Sequence, residues 1–491
     1  MPLSRRQFLR RGTAAGAALM IPSTLELLFA RVASGADLKA EGYGPLAPDP
    51  EGLLDLPAGF HYRAFSMAMS GRTDDARFSG RLSNGDLVPS SHDGMAAFAG
   101  PEGVTILVRN HEIEPDESPP VRAAPEHLYD PIAPGGTTTL WVGADRQLQR
   151  SFVSLAGTLR NCAGGRTPWG SWVSCEESSW TPGALDASDA DRHPSVSKRH
   201  GYVFEVDAHA EGPVAPTPIV PMGRFRHEAL AVDPATGFVY LTEDRPDGLL
   251  YRYRPSVVTS GTKQPGDMSV GDLAQGGTLE ALRVFGRPQL KTQNWPDSTP
   301  GLQRGDTVKV EWVRIPNIDP DVDMERDPTD PIADPLQRAE RTAPASTRAQ
   351  GFALGCAQFA RHEGITYHRG SVYVCATNGG NAKLGQVWRL DLRHDQLSLI
   401  VEPNDPALLD GPDNITPMPN GDLLVCEDGR GENFLVGITA RGRLYHLARN
   451  AFNTREFAGA CFSPDGRTLF VNMQDPGVTY AIWGPWERRS A

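Results

Sequence analysis

The sequence predicts an all-β fold, a six-bladed β-propeller with an inserted loop region, and three observations carry that prediction. First, an apolar run ending in acidic, amide or thiol side chains recurs through the chain: ILVRNHE ending at Glu112, WVSCEE at Glu177, VYLTED at Asp244, VYVCATN at Asn378, LLVCEDG at Gly429 and LFVNMQD at Asp475. Second, these runs are preceded by a short apolar strand and a turn, and in the later copies the turn is built from Pro, Asp, Asn and Gly, the chemistry of a β-hairpin. Third, further strand-like segments follow several copies. They make roughly four strands per unit at spacings of about 45–70 residues, close to the period of propeller blades.

The units can be taken in chain order. His92-Asp93 stands ahead of ILVRNHE and Asn161-Cys162 ahead of WVSCEE, both as looser copies. His227-Glu228-Ala229-Leu230 and the turn Asp233-Pro234-Ala235-Thr236-Gly237 precede VYLTED, while His362-Glu363-Gly364-Ile365 and His368-Arg369-Gly370 precede VYVCATN. Pro412-Asp413-Asn414-Ile415 and Pro419-Asn420-Gly421 precede LLVCEDG, and Glu456-Phe457 with Ser463-Pro464-Asp465-Gly466 precede LFVNMQD. Outer strands start near Tyr202, Leu249, Gln386 and Gly442. A hairpin returns the end of its second strand to the start of its first, so the His-Glu and Thr-Glu-Asp elements of one unit share an edge. In a propeller those edges surround the central channel. Closure is expected between the segment Gly59–Phe65 and the C-terminal strand Tyr480–Trp483. The spacing roughly doubles between Asp244 and Glu363, which places an insertion at about residues 256–350 within a single domain spanning 37–491. Its segment DPDVDMERDPTD superficially resembles a calcium loop but lacks the Gly and terminal Glu of that geometry.

The N-terminus reads as a twin-arginine export signal over residues 1–36: Arg5-Arg6 before Phe8-Leu9, a modest apolar stretch and small residues at Ser34-Gly35-Ala36. The apolar stretch is too short for a typical span, so no stable membrane insertion is expected. The expected location is periplasmic or secreted, with the twin-arginine translocase as partner during export. A net charge of −12 on 491 residues argues against nucleic acid as a partner. Six cysteines, at 162, 175, 356, 375, 426 and 461, show no zinc-ribbon spacing, and most read as small buried residues.

The side chains converging on the channel include Glu112, Cys175, Glu176, Glu228, Glu243, Arg361, Glu363 and Asp413. So many carboxylates cannot crowd together ionised unless cations neutralise them. Hard oxygen ligands favour calcium or magnesium, and a thiolate among carboxylates also accepts iron. Each has a plainer reading. A strand-end acid can cap a turn, Cys175 aligns with Thr242 and Cys426 as a buried filler, and Arg361 can pair with a neighbouring carboxylate instead of gripping a phosphate. No nucleophile elbow, Walker loop or HExxH occurs, which leaves metal-activated water as the expected nucleophile.

The segments RNHE, CAGGRTPWGSWVSCEE, MGRFRHEALAVDPATGFVYLTEDR, RHEGITYHRGSVYVCATNGG, PDNITPMPNGDLLVCEDG and EFAGACFSPDGRTLFVNMQDPG resemble those of PhoX-type alkaline phosphatases, from about Leu56 to the C-terminus. That resemblance implies a six-bladed propeller holding iron (Fe3+) and calcium (Ca2+) on its axis and hydrolysing phosphate monoesters by a metal-bound oxide or hydroxide. It implies Cys175 as the iron thiolate, Glu228 and Glu363 as carboxylate ligands and Arg361 as the contact to a small phosphorylated substrate. Glu112, Glu176, Glu243 and Asp413 are its further metal candidates. Two other readings stand beside it: a calcium-dependent lactonase, and a non-catalytic envelope propeller with structural calcium.

Overall fold

The computed structural model describes residues 42–68, 80–184, 192–296, 298, 301–321 and 346–487; the expected export signal lies outside them. Strand dominates, and the two short α-helices among the described residues are Ser256–Thr259, at the start of the 256–350 insertion, and Thr347–Ala353, which straddles its end.

Six strands form the innermost layer of the described chain: His92–Ala99, Asn161–Arg166, His227–Val232, His362–His368, Pro412–Pro417 and Phe457–Phe462. Each packs beside the next in chain order and the last returns to the first, which closes a ring around a channel. Each then hairpins outward to an antiparallel partner, respectively Thr105–His111, Ser171–Glu176, Val239–Glu243, Ser371–Ala376, Leu423–Glu427 and Thr468–Met473. These are the acid-tipped runs of the sequence, found as strands at their expected places. The last sheet is completed by His61–Met67 from the N-terminal side, with Trp483 opposite His61 and Tyr480 opposite Ala64. The expected closure is therefore present.

The architecture is all-β and propeller-like, but six separate blades are not what forms. Among the described residues, four sheets stand alone as blades, built on the strands that begin at His92, Asn161, Pro412 and Phe457. The other two inner strands are the ends of one nine-stranded sheet, whose first and last strands adjoin, so the sheet nearly closes on itself. The cause lies in the region expected to be a loop. That region supplies the strands Gly277–Val284 and Thr307–Arg314, and the second pairs on both sides, Val313 with Ala281 and Val308 with Leu397. Two outer edges that would otherwise expose unpaired backbone are thereby stitched together.

Apolar side chains fill the wedges between neighbouring sheets. Val203, Phe225, Leu230, Tyr251 and Ala281 form one such core, and Leu54, Phe60, Leu424, Phe457 and Tyr480 form another that ties the two ends of the chain together. Each fully buried side chain of this size stabilises the fold by about 1.5–3 kcal/mol. All six cysteines are buried free thiols. No described helix is long and apolar enough to cross a membrane.

Candidate active site

One backbone irregularity builds the site, and it recurs around the ring. His92 pairs with His111 and Met95 with Arg109, so Asp93 and Gly94 together oppose the single residue Asn110. The same two-against-one bulge sets Cys162 and Ala163 against Cys175, Glu228 and Ala229 against Thr242, Glu363 and Gly364 against Cys375, and Asp413 and Asn414 against Cys426. In the sixth inner strand the shift falls between Ala458 and Cys461. A bulge bends its strand and re-aims a side chain. Here the first bulged residue of five strands (Asp93, Cys162, Glu228, Glu363 and Asp413) lines a common cavity of about 680 Å³.

The residue opposite a bulge holds backbone. Asn110 Nδ2 donates to the carbonyl oxygens of Cys162 and Ala163 at 3.1 and 2.6 Å, and Thr242 Oγ1 donates to the Glu363 carbonyl at 2.7 Å. Cys175 occupies this position, fully buried and off the cavity wall. The thiol on the wall is Cys162, whose Sγ lies 3.5 Å from the Glu228 carbonyl oxygen. The signal for Cys162 was present in the sequence, since it follows the polar start Asn161 as Glu228 follows His227.

The acids that end the second strands divide by the same alternation. Glu176 receives Leu159 N, Gly201 N and Tyr202 N at 3.0, 2.9 and 3.1 Å and pairs with His200 Nδ1 at 2.6 Å. Glu243 accepts from Tyr251 Oη at 2.9 Å and Leu249 N at 3.2 Å, and Glu427 accepts from Asp410 N and Phe434 N at 2.8 and 2.9 Å. These three acids clasp strand starts and do not line the cavity. Their successors Glu177, Asp244 and Asp428 line it, together with Glu112 and Glu456.

Three arginines precede consecutive inner strands and face the cavity: Arg160, Arg226 and Arg361. Arg361 binds Asp244 with two parallel hydrogen bonds of 2.8 Å and reaches Glu363 Oε1 at 2.9 Å. Arg160 and Arg361 have φ of +46° and +48°, a left-handed backbone that side chains adopt at a cost and that clusters at functional sites.

Glu228, Glu363 and Asp413 offer oxygens that all lie within 4.8 Å of one another. Burial, and then their mutual repulsion with Asp93, Glu177 and Asp244, pushes the carboxyls of Glu228 and Glu363 well above the usual range. Asp413 is raised by burial and by Asp428 and Glu112, and Asp93 by burial and by Glu112 and Asp413. Burial pushes Asp244 up too, but the Arg361 guanidinium outweighs it and holds this carboxyl well below the carboxylate range. The described lining counts ten carboxylates against six arginines, an excess that calls for cations.

Over residues 41–477 the chain matches the family described as alkaline phosphatase PhoX. Among solved structures it is similar to PhoX of Pseudomonas fluorescens, with a TM-score of 0.62 and 18% identity over 91% of this chain and 98% of that one. A gluconolactonase from Xanthomonas campestris aligns at a TM-score of 0.37 and 13% identity, over 90% of this chain and 98% of its own. No functionally curated protein matches at a significant level. The family match takes in all six inner strands and the acids and arginines that line their cavity, and the chain belongs to the PhoX family of alkaline phosphatases.

Proposed function

We propose that the protein is a metal-dependent phosphatase that hydrolyses phosphate monoesters in the cavity bordered by Glu228, Glu363, Asp413 and Arg361. The observation that carries this reading is the triangle of carboxylate oxygens within 4.8 Å of one another, with Arg361 hydrogen-bonded to one of its corners, Glu363. The donor set fits hard cations. Glu228, Glu363 and Asp413 would hold calcium, with Asp93, Glu112 and Glu456 close by, and the Cys162 thiol beside Glu228 would admit iron. Bound there, the cations would neutralise phosphate oxygens and lower the pKa of bound water. Arg361 directs its guanidinium at the same space, its Nε and Nη2 held by Asp244 and Glu363, so its aim is set before substrate arrives. Family membership supports the assignment, as does the vanadate, a transition-state analogue, bound in the Pseudomonas fluorescens relative.

Two finer points belong to the same proposal. The nine-stranded sheet is read as two blades fused through Thr307–Arg314, since it contains two antiparallel four-stranded meanders on either side of that strand. The paired arginines of the N-terminus support export to the periplasm by the twin-arginine route. Assay of purified protein with p-nitrophenyl phosphate, before and after chelation, tests the chemistry: turnover that survives metal removal refutes it.

A further inference from the structure

The cavity is electrically lopsided. One wall is an arc of alternating charges: Glu112 to Arg160 at 2.7 Å, Arg160 to Glu177 at 2.7 Å, Glu177 to Arg226 at 2.6 Å, then Asp244 gripped by Arg361. The facing wall carries Asp93, Asp413, Asp428 and Glu456, and the one described arginine lining the cavity beside them, Arg455, pairs with Asp475. Glu177 is shared by two guanidiniums, which brings Arg160 and Arg226 to either side of one carboxylate. Their side chains are 22% and 17% exposed, and both line the cavity. Guanidiniums locked by carboxylates lose little freedom when an anion docks, and the planar fork suits phosphate or carboxylate.

Only Arg361 is needed beside the carboxylate triangle for the phosphoryl group that is cleaved. We infer that Arg160 and Arg226 form a second anion subsite, so that the preferred substrates are organic phosphates carrying a second anionic group. This inference rests on the phosphatase reading and names its substrate class. The acidic wall takes cations, the reacting phosphoryl group sits between them and Arg361, and the second group lies along the arc.

The test compares the metal-loaded protein with its Arg226→Gln variant on a matched pair, fructose 1,6-bisphosphate and fructose 1-phosphate. Wild type is expected to favour the bisphosphate by about tenfold in kcat/KM, and Arg226→Gln to lose most of that preference. The ratio is internal, so a variant that folds in lower yield loses both rates together and leaves the comparison intact. A wild-type ratio near unity, or the same ratio in the variant, overturns the subsite. If neither compound is turned over, calorimetric binding of the same two compounds reads the subsite instead, and the phosphatase reading fails only if p-nitrophenyl phosphate is not turned over either. Tighter binding of the bisphosphate that depends on Arg226 supports it, and equal binding overturns it.

Discussion

Asp244 and Arg361 meet edge to edge, Nε to Oδ1 and Nη2 to Oδ2, both at 2.8 Å. They come from different inner-strand hairpins, so the pair braces the cavity across a junction of the ring as well as aiming a guanidinium. Replacing Asp244 by Asn keeps the shape and removes the charge and one acceptor. Hydrogen bonds to charged groups contribute about 1.5–3 kcal/mol, so Asp244→Asn should lower kcat/KM for p-nitrophenyl phosphate by about ten- to a hundredfold. The loss should appear mainly in KM if Arg361 binds the phosphate in the ground state. An unchanged kcat/KM would show that Asp244 does not position Arg361.

The two cysteines of the second hairpin differ in their access to the cavity. Cys162 is bulged into the cavity, and Cys175 faces the bulge from behind. Cys162→Ser should lower bound iron, measured by elemental analysis of the purified protein. Cys175→Ser should keep its metal but lose about 1–3 kcal/mol of stability, because it buries a hydroxyl in an apolar core. The opposite pattern of metal loss would make Cys175 the ligand.

The crowded carboxylates set how metal and pH act together. In the metal-free protein Glu228, Glu363, Asp413 and Asp93 have folded pKa values raised above their unfolded ones. Groups shifted that way contribute least instability at low pH and progressively weaken the fold as pH rises and they are forced to ionise. Cations remove that penalty and displace the protons. The gap in Tm between metal-loaded and chelated protein should therefore widen steadily from about pH 5 to pH 9. Differential scanning fluorimetry showing a constant gap would contradict this.

Most of the ring could be read from the chain because its hairpins are local. The runs ending at Glu112, Glu177, Asp244, Asn378, Gly429 and Asp475 became strands, and Glu112, Glu228, Glu363, Asp413 and Arg361 all reached the cavity. What escaped was set at the scale of one residue or by distant partners. Glu176 and Glu177 are neighbours in sequence but point to opposite sides of a strand end, one to His200 and the other to Arg160 and Arg226. Strand alternation with an extra residue at each bulge therefore puts Cys162, and not Cys175, on the cavity wall. The fusion of two sheets depends on Val308 meeting Leu397 and Val313 meeting Ala281, and no local pattern announces either pairing.

Behind the cavity, His200 lies between two acids, Nδ1 2.6 Å from Glu176 and Nε2 3.2 Å from Asp130, with all three side chains fully buried. Burial works against its charge, but the two carboxylates outweigh that and raise its pKa to about 9. A histidine raised in the folded state adds stability that is complete below about pH 6.5 and is lost as pH climbs through the folded value. Wild type should thus lose stability relative to His200→Gln between about pH 6.5 and 9, by an amount on the order of 3 kcal/mol or less. Parallel denaturation curves at the two pH values would show that this histidine is neutral.

Gly364 follows Glu363 on the bulge and packs closely against the neighbouring inner strand. A Cβ there would stand 2.5 Å from the Asp413 carbonyl oxygen and 2.6 Å from Asn414 Cα. Both obstacles are backbone, so nothing flexible can yield, and the strand carrying Asp413 must move. Overpacking of this kind costs about 1–3 kcal/mol. The displacement also pulls Asp413 out of the triangle it makes with Glu228 and Glu363. Gly364→Ala should therefore lower metal content and Tm together, whereas alanine at Gly103, which has nothing within 4 Å, should leave metal content intact. Full metal occupancy in Gly364→Ala would mean that the close approach of the two strands does not hold the ligands in place.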